Sequence, residues 1–272
     1  MASRGSGAPC ATRLISWNIK GMNHPIKRTR VFSHLKSLGP DIIFLQETHL
    51  LATERYKLER GWVDQVFSSN YEARARGVAI LIKRGTPFVP SQVISDTNGR
   101  YIIVSGKLFG TPIILANVYG PNWDNPQFFS RLIAKLPDIN SHHLILGGDF
   151  NCVLDPVLDR SRAGTQINIS KSGEVLLSFL NDYRLQDPWR SSNPTTRQYS
   201  FYSPVHKSYS RIDYFLVDDR SLSFIKHLKY HSIIISDHCP LQLDLHMPNS
   251  STKHRTWRFD PLLLADLLLG FH

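Results

Sequence analysis

Eight short apolar stretches rich in β-branched residues recur along the chain: "LISWNI", "DIIFLQE", "GVAILI", "YIIVSGKL", "PIILANVY", "HLILGGDF", "RIDYFLV" and "SIIISDHCPLQLDL". Runs of this length, punctuated by Gly, Pro, Asn and Asp, predict strands of a largely buried sheet system. Three segments between them carry a helical period instead. In "PIKRTRVFSHLKSL", Val31, Phe32, Leu35 and Leu38 share one face and Pro25 suits the first turn. A second helix starts at Asn125-Pro126 with Phe128, Phe129, Leu132, Ile133 and Leu136 inward, and "SGEVLLSFLNDY" supplies a third through Val175, Leu176, Phe179 and Leu180. Helices spread between strands, rather than gathered at one end, predict a layered α/β fold with mixed sheets and outer helices.

A chain of 272 residues with 42% hydrophobic content can bury one large core. We expect a single domain over 14–246, a flexible lead-in over 1–13, and a linker or tail over 247–272 that opens on the polar run "MPNSSTKHRTW". Lys and Arg outnumber Asp and Glu by 32 to 22, and the formal charge of +10 favours anionic partners such as nucleic acid. A solvated basic face explains the same balance. Three cysteines without a Cys-x-x-Cys pair fit a reducing compartment. The N-terminal stretch lacks the apolar core of a signal peptide, and "LLLADLLL" is interrupted by Asp266 and too short to cross a bilayer. A soluble protein with no membrane partner is expected.

Polar residues gather where the apolar stretches end. These are Asn18, Gln46 with Glu47, the group Asn117, Tyr119 and Asn122, Asp149 with Asn151, Asp213, and Ser236 with Asp237 and His238. Layered α/β proteins place ligands at strand ends, which makes this one candidate site. Each residue also has a local explanation. Glu47 suits a surface Lys, Tyr119 a bond near the Gly-Pro-Asn turn, Asp213 an ion pair or buried hydrogen bond, and His238 a satisfied core imidazole.

Taken together they match phosphodiester hydrolysis, which needs an activated water, charge stabilisation on the phosphoryl oxygens and help for the departing oxygen. The Glu47 carboxylate, assisted by the Asn18 amide, suits Mg²⁺ or Mn²⁺. Asp149 receives the water's proton while Asn151 holds that water. His238, oriented by Asp213, bonds a phosphate oxygen or exchanges a proton near neutral pH. Zinc fits poorly, because the His/Cys clustering it needs is missing. Gly147 and Gly148 are expected to let backbone and phosphate approach closely.

The stretches "SWNIKG", "LQETHL", "NVYGPN", "GGDFN", "RIDYFLV" and "SDHCPL" resemble, in order and spacing, the motifs of the endonuclease/exonuclease/phosphatase family over residues 14 to about 245. Within it, "IKRTRVFSHLKSLGPDIIFLQETHL", "YSFYSPVHKSYSRIDYFL" and "TWRFDPLLL" resemble the apurinic-like endonuclease domain of LINE-type non-LTR retrotransposons. The resemblance implies a DNase I-like four-layer α/β sandwich, two mixed sheets flanked by helices, that nicks double-stranded DNA with Mg²⁺ and leaves 3′-hydroxyl and 5′-phosphate ends. By motif position it implies Asn18 and Glu47 at the metal, with Asp237 beside the metal or the histidine. Tyr119 falls at the phosphate, Asp149 and Asn151 at the attacking water, and Asp213 behind His238.

Ser200 falls where these endonucleases carry a small hydroxyl beside the scissile phosphate. Residues 202–210 look like a groove-probing hairpin with His206 and Lys207 near its tip, and Arg211 and Asn122 join the DNA-contacting set. Repair enzymes of the family usually carry Gly-Trp before the Arg-x-Asp-Tyr motif, where this chain has Tyr209-Ser210. An apurinic-site or exonuclease III-like repair nuclease is the alternative, and a catalytically idle DNA-binding fragment is the alternative of another class. A nuclear monomer is implied, as is an excised domain or truncated copy, since retrotransposon polyproteins continue into a reverse transcriptase.

Overall fold

The computed structural model describes residues 10–161 and 168–247. The chain runs β1 (Cys10–Asn18), α1 (Pro25–Leu38), β2 (Ile42–Gln46), a 3-10 helix (Ala52–Leu58), β3 (Val63–Ser69), β4 (Val78–Lys83), β5 (Phe88–Ser95), β6 (Tyr101–Leu108) and β7 (Thr111–Tyr119). It continues through α2 (Pro126–Ile133), β8 (His143–Asp149), α3 (Lys171–Asp182), β9 (Leu185–Gln186), α4 (Pro188–Ser192), β10 (Phe201–Ser203) and β11 (Ser208–Ser210). β12 (Asp213–Asp218), a 3-10 helix (Asp219–Phe224), β13 (Ile225–Tyr230) and β14 (Leu241–Met247) complete it.

Two six-stranded sheets result, in the orders β13-β14-β1-β2-β4-β3 and β5-β6-β7-β8-β12-β9, with β10 and β11 as a separate hairpin. Each sheet is mixed, because β1/β2 and β7/β8 are parallel while their neighbours are antiparallel. Strand periodicity sorts the side chains into three cores. Leu14, Ile42, Phe44, Ile80, Leu115, Ile145, Phe215 and Leu243 meet between the sheets. Ile15, Trp17, Ile43 and Leu81 pack outward beneath Val31, Phe32 and Leu35 of α1, while Ile114, Leu144 and Leu216 pack under α2 and α3. The layers are therefore helix, sheet, sheet, helix, the four-layer DNase I-like α/β sandwich expected.

The three helices form where their periodicity predicts, although α2 stops at Ile133, short of Leu136. Pro25 stands at the start of α1 and Gly39 closes it in the left-handed region at φ 64°. The Asn125 side chain caps α2 by accepting from Phe128 N, and Ser170 caps α3. No helix among the described residues is long and apolar enough to cross a membrane.

Two expectations shift, and another lies outside the described residues. β1 already begins at Cys10, inside the segment expected as a lead-in, because Cys10 to Arg13 pair with Met247 to Asp244 of β14. Residues 1–9 and 248–272, including most of the expected tail, lie outside the described residues. The last apolar stretch is strand only from Leu241 onward. Ahead of it, Ile233 and Ile234 are exposed and His231 N donates to the Pro240 carbonyl, closing a loop where Pro240 has no N–H for a ladder.

Candidate active site

Counting by twos along the strands places the polar residues. On β1, Asn18 follows Leu14 and Ser16 on the face toward the second sheet; on β7, Tyr119 follows Leu115 and Asn117; on β8, Asp149 follows Ile145 and Gly147; and on β12, Asp213 precedes Phe215 and Val217. Register then aligns them. Asn18 sits opposite Gln46, Tyr119 opposite Asp149, and Asp149 opposite Asp213. The site is a row of strand ends at one edge of the inter-sheet core.

An unbroken series of contacts links the sheets. Asn18 Nδ2 donates to Glu47 Oε1 at 2.9 Å and to Asp149 Oδ2 at 2.8 Å. Asp149 Oδ2 lies 3.7 Å from His238 Nε2, and His238 Nδ1 meets Asp213 Oδ2 at 2.8 Å. Asp149 Oδ1 accepts the Asn151 backbone N–H at 2.9 Å, and Asn151 Nδ2 donates to the Gly120 carbonyl at 3.0 Å. Tyr119 donates its hydroxyl to Asn122 Oδ1 at 3.0 Å. Asp237 pairs with Lys20 Nζ at 2.7 Å. Lys20, Glu47, His49 and Asn151 all have positive φ, between 47° and 55°, a strained conformation for residues with a Cβ and one that structures keep at sites of function.

Charge follows the geometry. Burial alone would raise the Glu47 carboxyl, but hydrogen bonds from His49 and Asn18 and the nearby His49 charge outweigh it and hold the group down at about 2. Asp149 moves the other way, because complete burial pushes its carboxyl up and the charge of Asp213 adds to that. For His238, burial lowers the basicity of the imidazole, and the attraction of Asp213 and Asp149 together overcomes it, so the ring holds its proton above the usual histidine range. Asp213→Asn keeps the burial and the Asp149 charge and removes the larger of the two attractions. The His238 titration midpoint, followed by NMR of the imidazole resonances, is expected to fall in that variant; an unchanged midpoint would show that Asp213 does not set it.

Several expectations need correction. Arg211 is 1% exposed, with Nε on Asp159 Oδ1 at 2.8 Å and Nη1 on Asp187 Oδ2 at 2.6 Å, so it is enclosed by carboxylates and presents nothing to DNA. Ser200 is fully buried behind the histidine, where its Oγ accepts from Ile212 N and Asp213 N at 3.0 and 3.1 Å and fixes the start of β12. Asn18 turns its amide nitrogen to the carboxylates while its oxygen accepts from Lys20 N at 3.0 Å, so it positions Glu47 rather than offering an oxygen beside it. The glycines serve packing. A Cβ on Gly147 would meet the Phe215 ring at 2.6 Å, and one on Gly148, at φ +140°, would meet the Val118 carbonyl oxygen at 2.0 Å.

His206 and Lys207 stand exposed at the turn of the β10/β11 hairpin. His49 and Lys20 were not anticipated as partners of Glu47 and Asp237. His49 had a signal, since "QETHL" places it two residues from Glu47. Arg100 had none. The β6/β7 pairing brings its guanidinium to 4.8 Å from the Tyr119 ring and into contact with the Gly120 carbonyl. Asn117 and Gln46 are structural, bonding to each other across the sheets at 2.7 Å.

Asp149, Asp213 and His238 bring potential ligand atoms within 4.8 Å of one another. Asp213 already engages the imidazole, however, and a protonated ring has no lone pair for a metal, so this trio is suited to moving protons. Glu47 is ionised and 19% exposed, which is what a hard divalent cation requires.

Comparison with known proteins gives one family, described as the endonuclease/exonuclease/phosphatase family, which matches residues 15–238. A Xenopus laevis protein named "Transposon TX1 uncharacterized 149 kDa protein" is 30% identical over 264 residues, 94% of this chain. The chain spans about a fifth of that protein's length, 20%. A Dictyostelium discoideum DNA-(apurinic or apyrimidinic site) endonuclease is 23% identical over 84% of this chain and 69% of its own. Among solved structures, the Xenopus laevis APE2 catalytic domain shares the fold with a TM-score of 0.71 at 22% identity, covering 89% of this chain and 94% of that one.

Proposed function

Because the chain belongs to the endonuclease/exonuclease/phosphatase family, we propose that it is a divalent-metal-dependent DNA endonuclease, one that nicks a single strand by water attack and leaves 3′-hydroxyl and 5′-phosphate ends. The observation that carries this reading is the contact series Glu47–Asn18–Asp149–His238–Asp213, which joins an ionised carboxylate, a buried base and an oriented imidazolium in one site.

Each residue then has a task. Glu47, positioned by Asn18 and with Asp237 nearby, would hold Mg²⁺ or Mn²⁺, which supplies positive charge against the phosphate and the departing oxygen. Asp149, raised toward neutrality by burial, takes the proton of the attacking water, and Asn151 holds that water. His238, kept protonated and oriented by Asp213, donates an N–H from Nε2 to a non-bridging phosphate oxygen. Tyr119 and Asn122, joined by a hydrogen bond, line the phosphate side, and the exposed His206 and Lys207 of the hairpin reach a groove of double-stranded DNA.

The relative named for a transposon supports target-site nicking of the LINE type, in which the nick primes reverse transcription, and a nuclear monomer accords with that task. The relative named as an apurinic-site endonuclease supports the second reading, a repair enzyme. Supercoiled plasmid and an abasic-site duplex separate them. We expect relaxed circles with Mg²⁺, none with EDTA, recovery when Mg²⁺ is restored, and weak abasic cutting. Preferential abasic incision favours repair, and DNA binding without any cleavage in Mg²⁺ or Mn²⁺ would overturn both.

A further inference from the structure

The loop 120–125, between β7 and α2, is tied down along its length. Gly120 N donates to the Asp149 carbonyl at 2.7 Å, and the Gly120 carbonyl accepts from Arg100 Nη1 at 2.8 Å. The Asp124 carboxylate accepts from Lys171 N and Ser172 N at the start of α3, and Asn125 N donates to Ser172 Oγ at 2.8 Å. In the middle of this anchored loop Trp123 is 58% exposed. The Arg100 guanidinium, itself buried, lies 5.4 Å from its ring centroid and 4.8 Å from that of Tyr119. A large aromatic ring usually gains its free energy by burial, and this one is instead presented to solvent from an anchored loop.

Beside Trp123 lies a cleft of about 520 Å³ whose walls include Arg76, Arg100, Arg131 and Lys135. That volume falls among cavities that take a small ligand, roughly 300–1,000 Å³. The acid on its wall, Asp96, accepts the Arg100 backbone N–H at 3.0 Å, leaving the cleft cationic. Arg100 forms a wall of the cleft and touches Tyr119 and Gly120 of the cleavage site, so the two spaces adjoin.

We propose that this cleft is a subsite for an unpaired nucleotide of the DNA being cut, its base stacked on Trp123 and its phosphate held by Arg131 and Lys135. The proposal rests on the nuclease reading above. Stacking on an aromatic ring needs a base face that no neighbour covers, which a nucleotide inside intact duplex does not offer. Guanidinium and ammonium groups grip phosphate without regard to sequence, so the subsite selects local strand opening, not a base.

A single-stranded oligonucleotide carrying 2-aminopurine reads the stack directly, since its fluorescence falls when it stacks on indole. Wild-type protein is expected to quench it and to bind it more tightly than Trp123→Ala, by about fivefold to a hundredfold, the range for one base–aromatic stack. Trp123→Phe keeps most of the affinity, and Arg131→Ala with Lys135→Ala weakens binding with a shallower salt dependence. In the cleavage arm, wild type nicks a duplex with unpaired bases beside the cut faster than a fully paired one by a similar factor, and Trp123→Ala loses that ratio. A thermal melt confirms that the exposed substitution leaves the fold intact. Equal oligonucleotide binding by wild type and Trp123→Ala overturns the proposal whether or not DNA is cut. Trp123-dependent quenching with no cleavage in Mg²⁺ leaves the subsite standing and removes the nuclease reading, whereas normal plasmid nicking without any Trp123 dependence removes the subsite alone.

Discussion

Asp149→Asn is expected to lower the nicking rate by about 10³-fold, inside the range of about 10²–10⁴ that one positioned acid–base group supplies. The substitution keeps shape and takes away the base. It also faces a second amide nitrogen toward Asn18 Nδ2, which now donates to Asp149 Oδ2 at 2.8 Å, or else turns that nitrogen toward the Asn151 N–H that now donates to Oδ1 at 2.9 Å. Either orientation sets donor against donor, the first loosening the Asn18 grip on Glu47 and the second the turn at Asn151. His238→Ala should lose nicking comparably, because the Asp213 carboxylate then has no imidazolium to orient. Plasmid relaxation timed on gels measures the loss, and fluorescence anisotropy with duplex DNA should report affinity within a few fold of wild type. Either variant keeping more than a tenth of the wild-type rate would remove it from the proposed chemistry.

Arg211→Ala should cost stability rather than chemistry, about 3–5 kcal/mol, the usual penalty for leaving a buried charge without its partner. Here two are left. Asp159 is 0% exposed and takes Arg211 Nε and Nη2, while Asp187 takes Nη1 and also caps α4 through Trp189 N and Arg190 N. Arg190 still reaches Asp159, which softens the loss at one carboxylate and not at the other. Arg211→Lys is a poor rescue, since a single ammonium cannot replace a planar fork that serves two acids. Denaturant titration of wild type and both variants tests this, and a loss under 1 kcal/mol would contradict it.

What the sequence discloses depends on position in the sheet. Each of the eight apolar stretches overlaps one of the interior strands β1, β2, β4, β6, β7, β8, β12 and β14. The strands that escape notice, β3, β5, β9 and β13, are the four sheet edges. An edge strand has one neighbour and buries little, so β5, with Val89 and Val93 in solvent, and β13, broken by Lys226, His227 and Lys229, carry no apolar run to find.

The site divides similarly. Asp149, Asp213 and His238 are legible because they end or adjoin interior strands, and the period of two gives their facing. Arg211 and Ser200 mislead because an inward Arg or Ser and a ligand-facing one read alike until Asp159 closes on the first and the start of β12 on the second. Gly147 and Gly148 look like a phosphate approach, and only the positions of Phe215 and Val118 show why a side chain is excluded there.

β1 and β14 lie side by side, so among the described residues the first strand is completed by the last. A ribosome that has delivered Asn18, Glu47, Tyr119 and Asp149 has not yet delivered His238, and β1 still lacks the strand that anchors it. On the proposed chemistry, a polypeptide that has emerged only as far as Asp149 lacks the imidazole that completes the site. The proposed site is assembled only when β14 closes on β1.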